Sequence, residues 1–165
     1  MRRGGIRLIR VLFVCHGNIC RSVAAEMAFR QLLEEQGLAD RIDADSAAAT
    51  EEEIGNGIYP PMRRALDAAG VPCRPHAARL AVRADYSRYD CLIGMDRENL
   101  SDMRYIFGGD PAGKITLLMD WAGHPGREIS DPWYTRDFSG CLAEIQSCCG
   151  ALLEHLRRGR LRPDA

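Results

Sequence analysis

Long apolar runs are missing from this chain. No stretch approaches the roughly 18 consecutive apolar residues that a membrane-spanning helix requires. The start Met1-Arg2-Arg3-Gly4-Gly5 has the charge of a secretory leader, but Arg7 and Arg10 interrupt the apolar segment behind it, so no leader core forms and a cytoplasmic location is expected. Charge of one sign is missing too. The net charge of -1 gives no basis for binding nucleic acid or an anionic membrane. Lysine is nearly absent, Lys114 being the only one among the 22 basic residues, which we read first as codon bias. Repeats, low-complexity tracts and domain-dividing linkers are absent, and 165 residues suffice for one domain with a real core.

Several ligand motifs are also lacking. No Gly-Lys-[Ser/Thr] occurs, so the nucleoside-triphosphate loop is excluded. Gly55 and Gly57 are followed by proline at position 60, which spoils a dinucleotide fingerprint. Cys15 and Cys20 could form half of a zinc site, but no second pair at suitable spacing accompanies them. The seven cysteines, an odd number without a secreted framework, are expected to be free thiols.

What is present is an alternation of strand and helix patterns. Residues 6–15 read as a strand whose core, Val11-Leu12-Phe13-Val14, is apolar on both faces, as in a central parallel strand. A helix is predicted over residues 22–36, with Ala25, Phe29, Leu32 and Leu33 on one face and Gly37 as its stop. Residues 41–47 form a weaker strand candidate, and a helix is predicted from Pro60 or Pro61 to Gly70. Further strands are predicted over 89–95 and 114–119, with a short helix from Arg97 between them. A loop rich in Gly, Pro and Asp follows, then a final helix over 139–158 carrying the stripe Leu142, Ile145, Cys149, Leu152 and Leu156. The pattern predicts one α/β domain with a parallel sheet and right-handed crossovers. Residues 1–5 and about 159–165 are expected to be flexible tails.

The chemistry concentrates in Cys15-His-Gly-Asn-Ile-Cys-Arg-Ser22, between the first strand and the first helix. Ligand sites in open α/β sheets lie beyond the carboxyl ends of strands. A loop there offers successive backbone N–H groups and a helix N-terminus to an anion. Gly17 and Asn18 tolerate the dihedrals such a loop needs, and Arg21 can grip two phosphate oxygens. The same field favours a thiolate at Cys15, with Ser22 placed to donate to the sulfur. A cysteine at a strand end is by default a small buried hydrophobe. The strand before it and the helix after it favour a nucleophile here.

Asp131-Pro132-Trp133-Tyr134 lies in the loop after the 114–119 strand and should reach the same sheet edge as Cys15. An Asp-Pro surface turn is the ordinary reading of Asp131. Beside a phosphate loop it reads as a general acid, with Pro132 stiffening its backbone. Trp133 and Tyr134 suit the walls of an aromatic slot, although one of them could simply anchor the loop. His16 is positioned to meet residues flanking a substrate. His76 and Asp96 read as structural hydrogen bonders, and Cys141, Cys148 and Cys149 as packing residues of the last helix.

These segments, together with DSAAAT at residues 45–50, YPPMRRAL at 59–66 and MDRENL at 95–100, resemble the low-molecular-weight protein tyrosine phosphatases, particularly bacterial ones, from Val11 to about Leu156. The resemblance implies a four-stranded parallel sheet flanked by helices on both faces. It implies Cys15 as nucleophile, Arg21 as phosphate binder, Asp131 as general acid, and Asn18, Ser22, Ser46 and His76 as the network shaping the loop of His16, Gly17, Asn18, Ile19, Cys20 and Ser22. Cys20 matches the cysteine that can trap an oxidised Cys15 as a disulfide. Substrates would be phosphotyrosine-containing proteins, with a tyrosine kinase as possible partner, and the chain a monomer or weak dimer. No metal or cofactor is required, since the loop supplies the positive charge. The family commonly has proline where this chain has Val23, a change that could soften the helix start. A related arginine phosphatase branch carries threonine at the position of Ile19, and related arsenate reductases use further reactive cysteines. A non-catalytic phosphoprotein-binding module would need Arg21 but not both Cys15 and Asp131.

Overall fold

The computed structural model describes residues 7–163. Strand β1 (Ile9–Cys15) is completely buried from Val11 onward, as its two-faced apolar pattern requires. It pairs in parallel with β2 (Ile42–Ala48) on one side and β3 (Cys91–Gly94) on the other, and β4 (Ile115–Leu117) completes the sheet in the order β2-β1-β3-β4. The register sets Cys15 beside Ala48 and Val14 beside Gly94, so three strands end level at one edge.

Alternation along β1 divides the core between two helical layers. Val11, Phe13 and Cys15 face helix α1 (Arg21–Glu35), helix α2 (Pro60–Ala68) and the long last helix, with Phe29 edge-on to Phe13 at 5.8 Å. Leu12 and Val14 face the other layer, which contains the short helix α3 (Asp85–Arg88) and helix α4 (Arg97–Phe107) with Met103 and Phe107. The prediction of a parallel sheet covered on both faces holds. Gly94 shows how closely α4 seats on the sheet: a Cβ there would fall 2.9 Å from Met103 Cε and 3.1 Å from Asn99 Cβ.

The predicted 114–119 strand is shorter than its apolar pattern suggested. Asp120 accepts from the backbone N–H groups of both Leu117 and Gly126, which turns the chain into the one-turn helix α5 (Leu118–Trp121). The following loop contains another one-turn helix, α6 (Pro132–Thr135), before α7 (Phe138–Arg157) packs its apolar stripe against α1. Both one-turn helices, and α3, are too short to show a helical period in sequence. Of the expected tails, residues 1–5 lie outside the described residues, as do 164–165. Arg162 donates to the carbonyls of Asp90 and Ala112.

Candidate active site

The loop from Cys15 to the start of α1 is held almost entirely through its carbonyl oxygens. Cys15 O accepts from Ala49 N–H at 2.9 Å, and His16 O from Thr50 N–H at 3.1 Å and Thr50 Oγ1 at 3.0 Å. Asn18 O accepts from His76 Nε2 at 2.7 Å, and Ile19 O from Tyr59 N–H at 2.7 Å. Because Asn18 O can only accept, His76 Nε2 must carry a hydrogen. Among the described residues, the backbone N–H groups of residues 16–21 donate to no protein acceptor. Cys20, the N-cap of α1, makes no side-chain cap either. Outward carbonyls and unspent N–H groups at a helix start are the makings of an anion site.

Asn18 is the keystone of this shape. Its φ of 59° lies in the left-handed region that asparagine tolerates better than most residues. Its side chain is fully buried and fully used: Nδ2 donates to Ser22 Oγ and to Ser46 Oγ, each at 2.9 Å, and Oδ1 accepts from Arg79 N–H at 3.2 Å. Ser46 passes its own hydrogen to Glu26 Oε1 at 2.6 Å. Ser22 Oγ accepts from Asn18 Nδ2 and from the Cys15 thiol, 2.9 Å away, and Ser22 N–H donates to the sulfur at 3.4 Å. When the thiol loses its proton, the Ser22 hydroxyl hydrogen can turn to the sulfur, so the thiolate would be met by two donors.

Arg21 is buried beside the same sulfur. It donates to Ile129 O and to Asp96 Oδ2, both at 2.9 Å, and lies 3.6 Å from Asp131 Oδ2. Burial opposes its charge, but Cys15, Asp96 and Asp131 outweigh that and hold the guanidinium more firmly protonated than a free arginine. Asp96 also caps α4 by accepting from Asn99 N–H, so it is the structural hydrogen bonder expected of it and additionally orients Arg21. Burial, reinforced by Cys15, pushes the Cys20 thiol far up, which keeps it protonated beside Cys15.

Asp131 caps α6, accepting from Trp133 N–H at 3.0 Å while its other oxygen faces Arg21. The pair line one cleft of about 390 Å³ with Cys15, the loop residues His16, Gly17, Ile19 and Cys20, and the aromatic rings of Tyr59, Trp133, Tyr134 and Phe138. Trp133 packs on Tyr59 at 5.5 Å between ring centres, whereas Tyr134 is 83% exposed. One aromatic thus anchors the wall and the other projects from it. His16 sits between Glu52, at 2.9 Å, and Glu98, at 4.0 Å. Val23, in the place of the family's proline, is fully buried in the core, and α1 begins at Arg21 regardless.

Four contributors were not read from the sequence: Glu26, Arg79, Tyr59 and the Ile129 carbonyl. Glu26 did leave a trace, as a carboxylate inside the otherwise small and apolar run of residues 23–29, where it is only 6% exposed.

The family model for low molecular weight phosphotyrosine protein phosphatase matches residues 10–161. The low molecular weight protein-tyrosine-phosphatase YfkJ of Bacillus subtilis is 34% identical over 152 residues, covering 92% of this chain and 97% of the relative. The human low molecular weight phosphotyrosine protein phosphatase is 36% identical over 151 residues, covering 87% and 93%. The crystal structure of YfkJ superposes with a TM-score of 0.89 over 94% of this chain and 99% of the other. That of a protein tyrosine phosphatase from Entamoeba histolytica, 26% identical, does so with 0.84 over 92% and 98%. A loop that offers its amides to an anion around Cys15, set in this sheet and matched along nearly its whole length, places the chain in the low molecular weight phosphotyrosine protein phosphatase family.

Proposed function

We propose that this chain hydrolyses phosphotyrosine in proteins through a phosphocysteine intermediate. The observation that carries the reading is the loop of outward carbonyls and unspent N–H groups at 16–21, closed by Arg21 and centred on Cys15, whose sulfur meets the Ser22 N–H and hydroxyl. The Cys15 thiolate attacks phosphorus in line while the loop amides and Arg21 take the charge on the equatorial oxygens. The bond to the tyrosyl oxygen breaks, and Asp131 delivers its proton to that oxygen. Asp131, now a carboxylate, takes a proton from water, which attacks the phosphocysteine. Phosphate leaves, and Ser22 stabilises the departing thiolate.

The aromatic walls at Tyr59 and Trp133, with Ile19 in the lining, support an aryl phosphate over an alkyl or guanidinium one. An arsenate-reductase relay fits poorly, since Cys91 lies fully buried in β3 and burial pushes its thiol to about 12. Seven free thiols support a reducing, cytoplasmic setting, and no helix among the described residues is long and apolar enough to cross a membrane. A tyrosine kinase is the natural opposing partner, and nothing in the mechanism needs more than a monomer. Turnover of phosphotyrosyl, phosphoseryl and phosphoarginyl peptides, compared with Cys15→Ser, tests the reading. We expect phosphotyrosine to be preferred, with activity surviving EDTA and vanishing in the variant. Full activity in Cys15→Ser would sink the mechanism.

A further inference from the structure

The cleft is electrically divided. Its floor is positive, built from Arg21 and the loop amides, but part of its rim is not. Glu52, Glu53 and Glu98 all line the opening. Among the described residues, neither an arginine nor the lysine forms a salt bridge with any of them, and His16 is the only basic group that reaches two of the three. Glu52 and Glu98 keep their side chains 66% and 74% exposed. Glu53 is brought in by the loop itself. Its Cγ would lie 3.1 Å from a Cβ at position 17, so glycine there makes room for its stem, and Asn56 Nδ2 holds its carboxylate at 2.7 Å. Arg136, which does not line the cleft, is stacked 5.4 Å over the Trp133 ring. The carboxylates are not grouped as a metal cluster among the described residues.

A site that must admit a phosphate dianion gains nothing from carboxylates at its mouth that no arginine or lysine pairs with, unless they select what accompanies the phosphate. We propose that Glu52, Glu53 and Glu98 form a cation-selecting rim, so that the enzyme prefers phosphotyrosine flanked by lysine or arginine and discriminates against acidic neighbours. The inference rests on the phosphatase reading and adds the class of substrate. Such a peptide carries its negative charge to the floor and its positive charge to the rim. The carboxylates reject an acidic peptide by like-charge repulsion as well as attracting a basic one. At high dielectric each exposed pair is worth about a twofold preference, so the rim as a whole gives roughly three- to tenfold.

The test measures kcat/KM at low ionic strength on three matched phosphotyrosyl peptides carrying lysine, alanine or glutamate on both sides of the phosphotyrosine. Free phosphotyrosine is run in parallel. We expect the order lysine, alanine, glutamate, with about three- to tenfold between the first two, compressed towards unity in E52Q/E98Q and by added salt. The ratio between peptides is internal to each variant, so a general loss of rate does not obscure it. Equal kcat/KM for the three peptides overturns the rim. So does the reverse order, or a ratio that survives both the double substitution and salt. Failure to turn over free phosphotyrosine at all would instead strike the phosphatase reading beneath it.

Discussion

The two sides of the cleft are built differently. The Cys15 loop is buried or half-buried, is tied to the segment after β2 and to His76 by five hydrogen bonds onto its carbonyls, and has a fully buried asparagine at its centre. The Asp131 segment is one turn of helix capped by Asp131 itself, with Trp133 half-exposed and Tyr134 almost wholly so. The phosphate is the same in every substrate, so its cradle gains from rigidity. The leaving group and its peptide vary, and the wall that meets them is the more exposed. Preorganisation is concentrated where charge develops and relaxed where shape must adapt.

Substitutions on either side sharpen that contrast. After the loss expected in Cys15→Ser, the largest effect is expected at Asp131: Asp131→Ala should lower kcat on an aryl phosphate by about 10²- to 10³-fold with little change in KM, and the loss should shrink for substrates with better leaving groups. A loss independent of the leaving group would remove Asp131 as the acid. Asn18→Ala comes next. It strips three side-chain hydrogen bonds from the loop and forces alanine into a left-handed backbone, so kcat/KM should fall about tenfold or more and stability by about 1–3 kcal/mol in denaturant titration. An unchanged Cm would mean the network does not shape the loop. The smallest effect belongs to Tyr134→Ala, which should leave stability within about 0.5 kcal/mol while raising KM for peptides more than for free phosphotyrosine. A substantial fall in Tm would show that the exposed wall is structural after all.

How much of this could be read from the sequence follows the same division. That Cys15, Arg21 and Ser22 sit together was legible because the loop is contiguous and lies between a strand and a helix. That Asp131 reaches the same cleft was legible from its place in the loop after β4. Glu26 and Arg79 were not, because they matter through partners 20 and 61 residues away that only the folded sheet brings near. The end of β4 was misplaced for a related reason. Leu118 and Met119 are apolar enough for a strand, but Asp120 reaches back to the Leu117 amide and turns the chain. Periodicity reports which face is buried, and it does not report a side chain that competes for the backbone.

The bonds onto the loop carbonyls have one more consequence. Three of the donors, at Ala49, Thr50 and Tyr59, are main-chain amides, which every residue except proline provides. Apart from the Thr50 hydroxyl, which also holds His16 O, and Gly55 with its positive φ, the side chains of residues 49–59 can therefore be exchanged without breaking these three bonds, provided no proline enters at those positions. Recognition can drift while the reaction is inherited intact, so one chemical core can be redirected to new targets by rewriting a single neighbouring segment.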